Sequence, residues 1–187
     1  MPGSFPRGHG ESEGRINEWG WHGPEDIGAA VDFIQNRPDF AGSIGILGLS
    51  MGGEEALNAA AKDNRIAGVV ADGAGVSSHN DSVTDGAHIV ARFVDWTQFQ
   101  FAQVLSDVRQ PSGVAESMPQ IAPRPVLLIA GADPVERKMG PIYKEKGGTA
   151  TELWRLTDTP HTRGLKKHGD EYRERVLGFF NQALLDD

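Results

Sequence analysis

Ser50 lies in Gly48-Leu49-Ser50-Met51-Gly52-Gly53, directly after the apolar run Ile44-Gly45-Ile46-Leu47. A helix-forming stretch follows at once, Glu54-Glu55-Ala56-Leu57-Asn58-Ala59-Ala60-Ala61. Gly-x-Ser-x-Gly between a strand and a helix presents the hydroxyl at the apex of a tight turn, and the glycines keep neighbouring side chains apart there. The hydroxyl also sits at a helix N-terminus, where backbone N–H groups and the macrodipole favour negative charge. A serine that attacks a carbonyl and leaves an oxyanion needs both features. A chain with 24 glycines produces such short motifs by chance. The strand before it and the helix after it give this one its weight.

A serine nucleophile needs a base within hydrogen-bond reach, and the base needs an acid to orient it. In a parallel α/β sheet such groups collect on loops at the strand C-terminal ends. Asp133 follows the apolar run Pro125–Ala130, and His161 follows Thr151–Leu156. Ser50, Asp133 and His161 thus come in the order Ser…Asp…His, each beyond a different strand end. Glu136, one turn past Asp133, is the second choice of acid, and Asp133 before Pro134 also suits a helix N-cap. His9, His22, His79, His88 and His168 fit no strand-end slot. No Asp/Glu/His group has ligand spacing, so no metal and no cofactor are expected.

The elements that must position these residues are legible around them. Residues 1–23 read as an irregular arm with Trp19 and Trp21 as anchors. Pro24–Gln35 opens with Pro-Glu-Asp and keeps Ile27, Val31 and Ile34 on one face, as a helix should. Strands are expected at Ser43–Leu49, Ile66–Ala71, Pro125–Ala130 and Thr151–Leu156, and helices at Met51–Lys62 and Asp170–Leu185. Continuous apolar strands between helices imply an α/β fold, a mostly parallel sheet of about four strands covered on both faces. Residues 75–122 interrupt the alternation as a helical insertion. Val90, Phe93, Val94, Thr97, Phe101, Val104, Leu105 and Val108 recur there at helical spacing. The stripe suits a lid over the site, and equally a helix that covers the sheet.

The bulk properties narrow the classes. One domain over residues 1–187 is expected at this length. A net charge of −8 disfavours nucleic acid and anionic membranes as partners. Zero cysteines excludes disulfides, thiolate metal sites and a cysteine nucleophile. Without an 18-residue apolar stretch or a leader pattern, a cytoplasmic location is the default expectation.

The Gly-Leu-Ser-Met-Gly-Gly turn and the Asp133 and His161 loops resemble the α/β-hydrolase superfamily. Arg7-Gly8-His9-Gly10-Glu11-Ser12 resembles the segment after that fold's fourth strand, and the whole run is similar to bacterial dienelactone-hydrolase-like and esterase-like members. The resemblance implies a carboxylic-ester hydrolase with a Ser50-His161-Asp133 triad, an acyl-enzyme and a small-molecule ester substrate. It implies the Met51 N–H as one oxyanion-hole donor. Phe93, Trp96, Phe99 and Phe101 point to acyl or aryl groups, while peptidase or lactonase chemistry would use the same machinery. The family places four strands before the arginine-glycine-histidine segment, so the chain resembles the C-terminal two-thirds of such a hydrolase. Ser43–Leu49 then becomes a bare apolar edge, which is expected to pair in a homodimer. Its alternative cover is the arm, folding back with Phe5, Trp19 and Trp21. The contrasting expectations are a non-catalytic oligomerising or binding remnant of the fold, and a fragment of a longer hydrolase.

Overall fold

Apolar residues run without a break along Val69-Val70-Ala71 and Val126-Leu127-Leu128-Ile129, and each strand feeds two cores. Val69, Ala71, Val126 and Leu128 face one core, while Val70, Leu127 and Ile129 face the other. A strand buried on both faces belongs inside a parallel sheet. The computed structural model describes residues 7–8, 10–13, 19–84, 88–106 and 108–185. Phe5 and His9 lie outside these described residues.

In chain order the elements are α1 (Gly23–Gln35), β1 (Ile44–Leu49), α2 (Met51–Lys62) and β2 (Ile66–Asp72). Then come α3 (His79–Thr84), α4 (Ile89–Ser106), α5 (Val114–Ile121), β3 (Val126–Ala130) and α6 (Pro134–Gly147). A short 3-10 turn (Gly148–Ala150), β4 (Thr151–Arg155), α7 (Gly164–Lys167) and α8 (Gly169–Leu185) complete the chain. The strands form one parallel sheet in the order β1-β2-β3-β4. Leu49 pairs with Asp72, Asp72 with Ile129, and Ala130 with Arg155, so the C-terminal ends of all four strands align. The loops that must carry the chemistry therefore emerge together.

One face of the sheet is covered by α1, α2, α5 and α6, with Val31, Leu57, Met118 and Tyr143 in the core. The alanines of α2 keep its backbone close: Ala56, Ala59 and Ala60 are buried against the sheet. On the other face α8 packs Tyr172 and Val176 on Val70, Ile129 and Trp154. Gly45 of β1 permits that approach, because a Cβ there would lie 2.6 Å from the Phe180 ring.

The expected strands and helices all form, with ends shifted by a residue or so. The stripe of the insertion is largely exposed. Among the described residues, 75–122 holds three helices and no strand. The side chains of Val90, Phe93, Val94, Phe101, Val104 and Leu105 are exposed, whereas Phe99 and Ala102 turn inward. Periodicity marks the face of a helix without saying which way it points. The arm does not cover β1 with its tryptophans either: Trp19 and Trp21 pack on Phe99 of α4.

Candidate active site

The turn after β1 is built around one glycine. A Cβ on Gly48 would fall 2.1 Å from the Gly52 carbonyl oxygen, so no larger residue fits. Ser50 takes φ 54° and ψ −127°, a left-handed strain that a non-glycine residue accepts only where its surroundings impose it. Those surroundings are explicit: the Ser50 N–H donates to the Asp72 carbonyl at 2.7 Å, and the Ser50 carbonyl accepts from the Gly53 N–H at 2.8 Å. Gly52 differs, since a Cβ there would meet nothing within 4 Å. Gly48→Ala is therefore expected to lose several kcal/mol or fail to fold, and Gly52→Ala to fold within about 1 kcal/mol of the parent. Chemical denaturation of the two variants checks this, and equal losses would refute the steric reading.

His161 reaches Ser50 from the loop after β4. Its Nε2 lies 2.8 Å from Ser50 Oγ, and its Nδ1 lies 2.6 Å from Glu136 Oε1. A carboxylate only accepts, so Nδ1 carries the proton and Nε2 is left to accept from the Ser50 hydroxyl. The ring is held from behind by Gly73 (φ 76°), where a Cβ would stand 2.9 Å from the imidazole. Thr162, directly after it, also has a left-handed φ of 52°. Glu136 is buried and uses both oxygens, the second accepting from the Gly131 N–H at 2.5 Å.

Asp133, the expected acid, does something else. It is the N-cap of α6, and its carboxylate accepts from the Val135 N–H at 2.8 Å. The physical reason is reach. A short side chain at the N-cap folds back onto its own helix, as Asp commonly does. Glu136 stands three residues into the same turn, and its longer side chain extends under Gly131 to the imidazole. The Ser50-His161-Asp133 line expected from sequence is corrected to contacts among Ser50, His161 and Glu136.

A family model for X-Pro dipeptidyl-peptidases (S15 family) matches residues 6–159, ending just before His161. The chain belongs to the S15 family. It is thereby an α/β hydrolase, and solved structures agree on the fold. An esterase of Pyrococcus furiosus, Pf2001, is 24% identical with a TM-score of 0.69, covering 95% of this chain and 68% of that one. The α/β hydrolase GrgF from a Penicillium species is 17% identical (TM-score 0.69, 95% and 78% covered). MenH from S. aureus is 19% identical (TM-score 0.57, 94% and 81% covered). No curated protein matches the sequence.

In this S15 chain three further groups, none singled out by motif, pack on the elements adjoining the Ser50–His161 pair or on one another. Asp72 ends β2 and accepts from the Tyr172 hydroxyl at 2.9 Å. Burial pushes its carboxyl up, and the Tyr172 bond opposes that shift. Trp21 donates its indole N–H to the Ser77 carbonyl and stacks on Phe99 at 6.2 Å. Gly20 beside it packs so close to Met51 that a Cβ would lie 2.6 Å from that side chain. Trp19, Trp21 and Phe99 thus form an aromatic cluster, and Gly20, between the two tryptophans, packs on Met51. Met51 opens α2, where an N–H has no intrahelical acceptor. Among the described residues no helix is long and apolar enough to cross a membrane.

Glu54, one turn after Ser50, accepts from the Gly75 N–H at 2.8 Å, while Tyr143 donates to the Gly75 carbonyl. Burial, reinforced by Asp81 and Glu55 and opposed by the Gly75 bond and His161, raises the Glu54 carboxyl to about 7. An unfolded glutamate titrates near 4.5. Between those values the folded chain binds more protons than the unfolded one, so this group costs stability as pH rises through the window. The loss is complete above pH 7 and reaches roughly 3 kcal/mol at most. Glu54→Gln keeps an acceptor for Gly75, so it is expected to flatten the stability-versus-pH curve between pH 5 and about 7. Urea midpoints at several pH values measure it, and parallel curves for parent and variant would refute it.

Proposed function

We propose that the chain is a serine hydrolase of carboxylic esters that works through an acyl-enzyme. One observation carries this reading: the continuous line of hydrogen bonds from Ser50 Oγ through His161 to Glu136. His161 Nε2 takes the hydroxyl proton as Ser50 Oγ bonds to the ester carbonyl carbon. The oxyanion forms at the start of α2, where the Met51 N–H and the helix macrodipole stabilise it. Glu136 holds the imidazolium, which then gives its proton to the leaving alcohol. Water repeats the sequence on the acyl-enzyme and releases Ser50. The aromatic cluster of Trp19, Trp21 and Phe99, joined to Met51 through Gly20, supports acyl or aryl substrates over highly charged ones.

The S15 match favours a second reading, cleavage of X-Pro peptides by the same nucleophile. A panel of p-nitrophenyl esters set against Xaa-Pro p-nitroanilides separates the two. Turnover of the esters with none of the anilides is the expected result, and the reverse would establish the peptidase. A fluorophosphonate probe that fails to label Ser50 would leave only the non-catalytic reading.

A further inference from the structure

The pattern in α4 has a use that the candidate site does not absorb. Val90, Val94, Thr97, Phe101 and Val104 recur at spacings of four, three, four and three, the 3.5-residue repeat by which one helix offers a seam to another. That seam is bare. Val90 is 72% exposed, Val94 55%, Phe101 65% and Val104 77%, with exposed Phe93 and Leu105 along its flanks. On the opposite side Phe99 stacks on Trp21 and packs at a tilt against Trp19, and Ala102 is buried, which fixes the helix to the body. So α4 has two apolar faces, and the body of the protein covers one.

We propose that the second face is a self-association surface on which two copies of the chain pair their α4 helices about a two-fold axis. The area is close to what a pair needs. Val90, Phe93, Val94, Phe101, Val104 and Leu105 expose roughly 700 Å² on and beside the seam, against about 800 Å² per partner in a stable interface. A contiguous patch of more than a few hundred Å² is beyond what a monomer ordinarily exposes. Charge selects the occupant. The chain carries −8, yet α4 contains one arginine and one aspartate, Arg92 and Asp95, so two copies meet here without like-charge repulsion. A membrane surface is disfavoured because an interfacial helix carries lysines and arginines along its polar face. The 3.5-residue repeat also complements itself, since the knobs of one such helix fit the holes of an identical one. In the antiparallel arrangement Val94 faces Val104, and Thr97 faces Phe101, across the axis.

Sedimentation equilibrium and light scattering on the 187-residue chain test the proposal. At concentrations up to about 100 μM, a species of twice the 20.1 kDa chain mass is expected. Val94→Glu combined with Val104→Glu is expected to return it to a monomer. Both positions are exposed, so circular dichroism and fluorophosphonate labelling should stay at the parent level. Leu47→Lys, on the open side of β1, should leave the dimer intact. A parent chain that stays monomeric overturns the proposal, as does a dimer that survives the α4 double variant. A dimer dissolved by Leu47→Lys alone would place the interface on the β1 edge instead.

Discussion

Ser50→Ala is expected to yield a folded chain that neither hydrolyses p-nitrophenyl esters measurably nor takes a fluorophosphonate label. The Ser50 hydroxyl meets His161 Nε2 at 2.8 Å, and the backbone bonds that hold the turn use the Ser50 N–H and carbonyl, which alanine retains. Stability should therefore change by less than about 1 kcal/mol. Activity should fall by at least 10³-fold, and by as much as about 10⁶-fold, since losing the nucleophile of a triad leaves only oxyanion stabilisation and binding. His161→Ala should fall nearly as far. The double variant should be no worse than either single one, because groups that act as a unit lose their effect together. Ser50→Ala with more than about a hundredth of the parent kcat would end the nucleophile assignment.

What the sequence discloses and what it hides have physical causes. Strands β2 and β3 are legible because burial on both faces leaves an unbroken apolar run, and Ser50 and His161 are legible because each lies just past a strand end. Asp72 is hidden by the same rule: it belongs to β2, but a charged residue looks like the strand's end. Glu54 reads as an ordinary first-turn acid, and only the packing of Gly75 and Asp81 around it reveals a buried carboxyl. The direction of the α4 stripe is hidden because period specifies a face and not its neighbour. The choice between Asp133 and Glu136 is hidden most deeply. An acid at a strand end and an acid at a helix N-cap are the same residue in sequence, and side-chain reach decides between the two roles.

That choice gives the second large effect. Glu136→Gln is expected to lower kcat by about 10³–10⁴-fold, with KM little changed and the fold retained. Glutamine can keep an oxygen on the Gly131 N–H, but its amide NH2 then faces His161 Nδ1 and donates. The ring answers by carrying its proton on Nε2, pointing at Ser50, where it can no longer accept the hydroxyl proton. Glu136→Asp tests reach alone: one methylene shorter, it should fall between parent and glutamine variant. Asp133→Asn should be nearly silent, because asparagine caps a helix as well as aspartate and can accept from the Val135 N–H. Asp133→Ala should cost about 1 kcal/mol of stability through the lost cap while kcat holds. Steady-state kinetics beside urea midpoints separate the two residues. A kcat for Asp133→Asn that falls further than that of Glu136→Gln would return the orienting role to Asp133. The opposite order leaves Asp133 as the cap that sets the first turn of α6 and, through it, the position from which Glu136 reaches the ring.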